Sequence, residues 1–291
     1  MEFKQELARC QRKIEDYLAG CFASRPDHAA LYDAMRYSLL AGGKRIRPLL
    51  VLEFCKALGG DEDKALPLAA AIEMIHTYSL IHDDLPCMDD DDLRRGRPTN
   101  HKVYGECLAV LAGDALQSAA FESVLTADLS AQQRADAALV LARAAGQDGM
   151  VAGQVLDMEG EERALTLEEI TQMNALKTGC LLEGACLMGV IAGGGSEKQL
   201  EAARTYAQAI GLAFQVRDDM LDVTSTAEEM GKSVQTDEAR GKSTYVSLLG
   251  LSRCQEVVNQ QSQKAKDALR DTGMETEFIC HLADYLAGRS N

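Results

Sequence analysis

Asp83-Asp84-Leu85-Pro86-Cys87-Met88-Asp89 and Asp218-Asp219-Met220-Leu221-Asp222 govern how the rest of the chain is read. Clustered carboxylates repel one another unless a cation lies between them. Hard divalent ions such as Mg²⁺ take oxygen ligands and commonly share them with substrate phosphates. Each cluster closes a long apolar, helix-patterned stretch. The two helix ends are therefore expected to face each other across a cavity in an all-α bundle. At 100° per residue, Asp218, Asp219 and Asp222 share one helix face, with Gln215 on the same side. Asp89 cannot share a face with Asp83 on an unbroken helix, and Pro86 disfavours one. The helix is therefore expected to end near Asp84, with a loop returning Asp89 toward Asp83.

Outward from these clusters the pattern stays helical. The 291 residues contain only five prolines, and no alternating strand pattern persists. Helices are expected near 3–21, 27–41, 46–58, 64–84, 102–126, 131–157, 167–192, 196–223, 243–270 and 275–288. Ser130 with Gln133, Thr166 with Glu169 and Ser196 with Gln199 have capping-box spacing. No Ser/Gly/Pro-rich linker divides the chain, so residues 1–291 are read as one domain of about ten helices around a central cavity. Irregular stretches are expected at 85–101 and 224–242, each after an acidic cluster and each carrying basic residues.

Composition narrows the function. A net charge of −15 argues against a nucleic-acid partner. It also means that an anionic substrate needs local cations. Nine scattered cysteines without a CxxC pair suit reduced thiols in a cytoplasmic protein. Neither a signal peptide nor an uninterrupted apolar run of membrane-spanning length is expected. Gly42-Gly43-Lys44-Arg45-Ile46-Arg47-Pro48 joins close-approach glycines to cations at a helix start, a pattern suited to an anion. His76 lies seven residues before Asp83 and on nearly the same face. Arg94 and Arg95 follow the first cluster closely.

Together these segments resemble the trans-prenyl diphosphate synthases, most of all the bacterial-type farnesyl diphosphate synthases and their geranylgeranyl relatives. The ordered motifs are GGKRIRP at 42–48, IHDDLPCMD at 81–89, Arg94-Arg95-Gly96, Lys177-Thr178 and FQVRDDMLD at 214–222. The resemblance covers essentially the whole chain. It implies the isoprenoid synthase fold, a homodimer, and condensation of an allylic diphosphate with isopentenyl diphosphate. It implies three Mg²⁺ ions, held by Asp83, Asp89 and Asp218 and supported by Asp84, Asp219 and Asp222. Arg94, Lys177, Lys232 and Lys242 are expected to hold the allylic diphosphate. Lys44, Arg47, His76 and Arg95 are expected to hold isopentenyl diphosphate. Lys177, Thr178 and Gln215 would steady an allylic cation. Tyr78, five residues before Asp83, with Ser79, would set tail length; a bulky aromatic there implies a C15 product, the alternative being C20. A terpene cyclase would not need the GGKRIRP segment, and a non-catalytic synthase subunit would lack one of these motifs.

Overall fold

The computed structural model describes residues 3–22, 26–160, 163–224 and 243–288. Among them the chain is all-α apart from one two-stranded hairpin. The helices are α1 (Phe3–Gly20), α2 (Ala29–Leu39), α3 (Ile46–Ala57), α4 (Glu62–Asp83), α5 (Asn100–Tyr104), α6 (Glu106–Thr126), α7 (Ala131–Ala145) and α8 (Met150–Gly160). They continue with α9 (Leu167–Asn174), a π-turn (Ala175–Gly179), α10 (Cys180–Ala192), α11 (Glu197–Thr224), α12 (Tyr245–Leu249), α13 (Leu251–Ala268) and α14 (Glu277–Gly288). Ser130/Gln133 and Thr166/Glu169 form complete capping boxes. Ser196 and Gln199 open α11 through the Ser196 N–H and hydroxyl.

The expected helix 102–126 is broken at Gly105, whose φ of 84° lies in a region that side chains avoid. The expected helix 131–157 is broken at Gly146-Gln147-Asp148-Gly149. There a Cβ on Gly149 would sit 2.3 Å from the Ala144 carbonyl oxygen. The expected helix 243–270 is broken at Gly250, with φ of 75°. Leu93-Arg94 and Arg97-Pro98 pair as the antiparallel hairpin β1–β2, a feature too short to show as an alternating pattern.

Two helical stretches, Glu106–Thr126 and Leu167–Ala192, are long and apolar enough by composition to cross a membrane. This corrects the expectation of no such stretch. That expectation counted unbroken apolar runs, which Asp114 and Glu183 interrupt. Both stretches are packed helices of the bundle, the second half buried.

The core is built on α3, α4, α10 and α11. α3 buries Leu49, Leu50, Val51, Leu52, Phe54 and Cys55 in sequence, so it has no solvent face for much of its length. Phe54 meets Tyr206 of α11 edge to face at 5.4 Å, a pairing that contributes about 1 kcal/mol beyond burial. α1 is fastened to this core by charge. Arg9 bridges Glu6 and Glu62, and Lys56 reaches Glu6. α10 packs against both α4 and α11, so the helices carrying the two acidic clusters flank it.

Candidate active site

The first acidic cluster folds as its sequence implies. α4 stops at Asp83, and the Asp89 N–H donates to the Asp83 carbonyl at 2.9 Å. The loop between them is pinned by Leu85 to His82 and Met88 to Leu85 hydrogen bonds. Asp90 turns the chain with φ of 51°. Burial, with Asp89 and Asp84 nearby, pushes the Asp83 carboxyl up to about 6, against the pull of Lys177 and Arg94. An oxygen donor set short of positive charge fits a hard divalent cation.

Asp84 faces elsewhere. It is buried, and Arg94 from β1 holds it with Nε and Nη2 at 2.7 and 2.6 Å. Asp219 is also buried, and its Oδ2 accepts the Tyr245 N–H at 2.7 Å, at the start of α12. Gln215 reaches the other Asp219 oxygen only at 3.5 Å. Asp222 is buried and Asp218 half-buried. A tight cluster of possible ligands, Glu6, Cys10, Glu53 and Glu62, lies apart on α1, α3 and α4 and is already engaged by Arg9 and Lys56.

Two cavities adjoin. The first, of about 600 Å³, runs from Asp83 past His76, Tyr78, Ser79 and His82 of α4. Its opposite wall is mostly apolar: Met150, Val151, Val155 and Met158 of α8, with Leu181, interrupted by Gln154 and Glu159. The second, of about 490 Å³, is basic, lined by Lys44, Arg45, Arg47, His76 and Arg95 with Phe214 of α11. Arg47, His76 and Thr178 line both. Phe214 lies one turn before Asp218, and His76 two turns before Asp83. Both acidic clusters therefore lie beyond the shared wall along their own helices.

The basic cavity is built by the GGKRIRP turn. Arg45 takes a left-handed φ of 51° and is buried, bonded to Glu73, Glu15 and the Leu39 carbonyl. It is the strut of the turn and was given no role by the sequence. Arg47 Nε is buried with no hydrogen-bond partner among the described residues, and burial lowers the pKa of its guanidinium. A buried donor of this kind calls for an acceptor, and an anion would suit it. Arg95, at φ of 53°, donates to the Gly42 carbonyl and lies against Gly43, where a Cβ would come within 2.7 Å of its Nη1. Burial, with Arg47, Arg95, Arg94 and Arg45 around it, drives His76 well below its usual range, so the imidazole is neutral.

Lys177 and Thr178 sit in the π-turn between α9 and α10. Such turns recur at functional sites because they break the regular carbonyl ladder. Lys177 Nζ pairs with Asp157 of α8 at 2.6 Å. α8 approaches so closely that a Cβ on Gly153 would lie 2.1 Å from Lys177 N. Asp157, Gly153 and the α8 wall went unnoticed in the sequence, where they read as ordinary helix. Lys232 and Lys242, and all of the expected irregular segment 224–242 but Thr224, lie outside the described residues.

Comparison with known proteins agrees with this geometry. A family profile described as polyprenyl synthetase matches residues 28–280. Geranylgeranyl pyrophosphate synthase 3, chloroplastic, of Arabidopsis thaliana is 49% identical over 290 residues, covering 96% of this chain and 80% of the relative. An FPP/GFPP synthase from Zymomonas mobilis superimposes with a TM-score of 0.88 at 37% identity, over 98% of both chains. A geranyltransferase from Helicobacter pylori, solved with magnesium and isoprenyl diphosphate, gives 0.85 at 34% identity over 98% of this chain and 96% of its own.

Proposed function

Because the chain belongs to the polyprenyl synthetase family, a family of prenyltransferases, we propose that it condenses an allylic diphosphate with isopentenyl diphosphate to give geranylgeranyl diphosphate. The observation that carries this is the pair of adjoining cavities, one apolar and ending at Asp83, the other basic. A reaction between two diphosphates needs two anion sites, and only one of them needs room for a tail.

The allylic diphosphate sits at the acidic end, beside Asp83, Asp89 and Asp218, with Lys177 and Arg94 as the nearest cations and Lys232 and Lys242 as further candidates. Three magnesium ions bound there would neutralise the diphosphate as its C–O bond breaks. Asp222 and Asp219 brace that end of α11. Lys44, Arg47, Arg95 and neutral His76 hold isopentenyl diphosphate in the basic cavity. Across the shared wall the isopentenyl double bond would then lie toward the allylic carbon. Thr178, the π-turn carbonyls and Gln215 offer oxygen dipoles to the allylic cation. The double bond attacks, a new C–C bond forms, and a proton leaves to the departed diphosphate. The apolar residues of the α8 wall, Met150, Val151, Val155 and Met158, limit the access of water to the cation.

Tail length follows the cavity. Tyr78 favours a C15 product from its position before Asp83. In the fold its ring stands edge-on to His82, 5.6 Å away, as part of the α4 wall. The α8 wall across the cavity carries no aromatic side chain. Together with the geranylgeranyl synthases among the relatives at 47–49% identity, this supports C20.

The protein is further read as a cytoplasmic homodimer. Its nine cysteines are all unpaired, which supports a reducing compartment. α6 exposes Leu111 and Leu125 about half each and carries no Lys or Arg, which supports a second copy over an anionic membrane surface.

The deciding assay incubates the purified chain with Mg²⁺, isopentenyl diphosphate and dimethylallyl diphosphate, then identifies the dephosphorylated alcohols. Geranylgeraniol is expected, and chelation with EDTA abolishes it. Farnesol as the end product would restore the C15 assignment. Absence of any elongated product from folded protein would sink the synthase assignment.

A further inference from the structure

His82 precedes Asp83 and lines the apolar cavity beside Tyr78. Its imidazole is held on two sides. Nε2 lies 3.1 Å from the Val110 carbonyl of α6; a carbonyl only accepts, so Nε2 carries the proton. One edge meets the Tyr78 ring at 75°. The tip of the ring rests on Gly113, also on α6. A Cβ at that position would lie 2.1 Å from Nε2 and 2.6 Å from Cδ2, well inside any real contact.

Gly113 has no need of glycine for its backbone. It lies inside a regular helix, and its φ is not positive. In a helix interior glycine is less favourable than alanine. A local rule broken without a backbone reason points to a packing reason. Here the packing reason is the imidazole, which no larger residue would admit.

We propose that Gly113 is a specificity-determining positioning residue: it seats the His82 ring against α6, and this seat sets the width of the apolar cavity just beyond Asp83, and so the length of prenyl tail that fits. This deepens the synthase assignment above and rests on it. With alanine at 113 the ring must leave its seat and give up the Val110 carbonyl. α6 closes one side and Tyr78 another, which leaves the cavity that His82 already lines and the outer side past exposed Val110. A ring displaced into the cavity occupies tail space. Removing the ring altogether widens the cavity toward the α6 backbone.

The test is product length from isopentenyl diphosphate with dimethylallyl diphosphate, then with farnesyl diphosphate as primer, for three variants beside the unmutated chain. Gly113→Ala is expected to shorten the main product by one five-carbon unit. His82→Ala is expected to lengthen it by one. The double variant should match His82→Ala alone, because the clash exists only with the imidazole present. Folded Gly113→Ala with an unchanged product distribution would overturn the inference, as would a double variant whose product is shorter than that of His82→Ala. Should Gly113→Ala not fold, a folded double variant with the His82→Ala product supports the seat, and a double variant that also fails to fold refutes it. If the unmutated chain forms no elongated product, the synthase assignment itself fails and this inference falls with it.

Discussion

At the scale of single residues, an aspartate's role follows from which partner reaches it first. Asp83 faces the cavity with its carboxyl pushed up to about 6, while adjacent Asp84 is claimed by Arg94. Asp219 is claimed by the Tyr245 N–H. Residue spacing alone displays these carboxylates as equals, and only the family resemblance set Asp84 and Asp219 apart as supporting residues; their partners depend on where β1 and α12 land. On the proposed function, Asp84 would act by holding Arg94 in place for the allylic diphosphate. Asp84→Ala and Arg94→Ala should each raise KM for the allylic substrate, by about 10- to 100-fold if a charge-assisted contact of about 1.5–3 kcal/mol is lost. Steady-state kinetics on the double variant decide the point. A loss no greater than that of Arg94→Ala is expected, and a fully additive loss would mean that Asp84 binds metal independently.

At the scale of elements, the parts that sequence displays well are those with local causes. The α4 stop at Asp83 follows from Pro86, and the starts of α7 and α9 follow from capping boxes. The breaks at Gly105, Gly146–Gly149 and Gly250 were not legible, since a lone glycine in a helical pattern is as often tolerated as obeyed. The π-turn was equally hidden, although Lys177-Thr178 within it was singled out. It lies where α8 presses on the α9–α10 helix, a tertiary contact that no local sequence pattern displays. Gly153 is the point of closest approach, facing Lys177 N and Cα, which are backbone and cannot swing aside. Gly153→Ala should therefore lower stability by about 1–3 kcal/mol despite alanine's better helix propensity. Thermal melting read by circular dichroism should show a Tm lower by several degrees. An equal or higher Tm would show that α8 has room to retreat.

For the whole molecule, the all-α bundle and its cavity were legible because acidic clusters, helix ends and apolar faces all agreed. The outer surface was less so. α6 is rich in apolar residues yet only a third buried, a feature that only burial reveals. If a second copy covers it, charges on that face should separate the copies. Leu111→Glu with Leu125→Glu is expected to give a monomer in sedimentation velocity where the unmutated chain gives a dimer. A dimer retained by the double variant would place the contact elsewhere.

The wall shared by Arg47, His76 and Thr178 has a kinetic corollary. In the proposed reaction each condensation would discard the allylic diphosphate and keep the isopentenyl one, so the newly lengthened chain would finish with its anion on the wrong side. To react again it must hand that anion across the partition. Because Arg47, His76 and Thr178 line both compartments, the proposed transfer would be a short translocation within the protein. Intermediates that make it without escaping to solvent would let the enzyme run several additions per encounter, and the partition becomes the ratchet of the cycle.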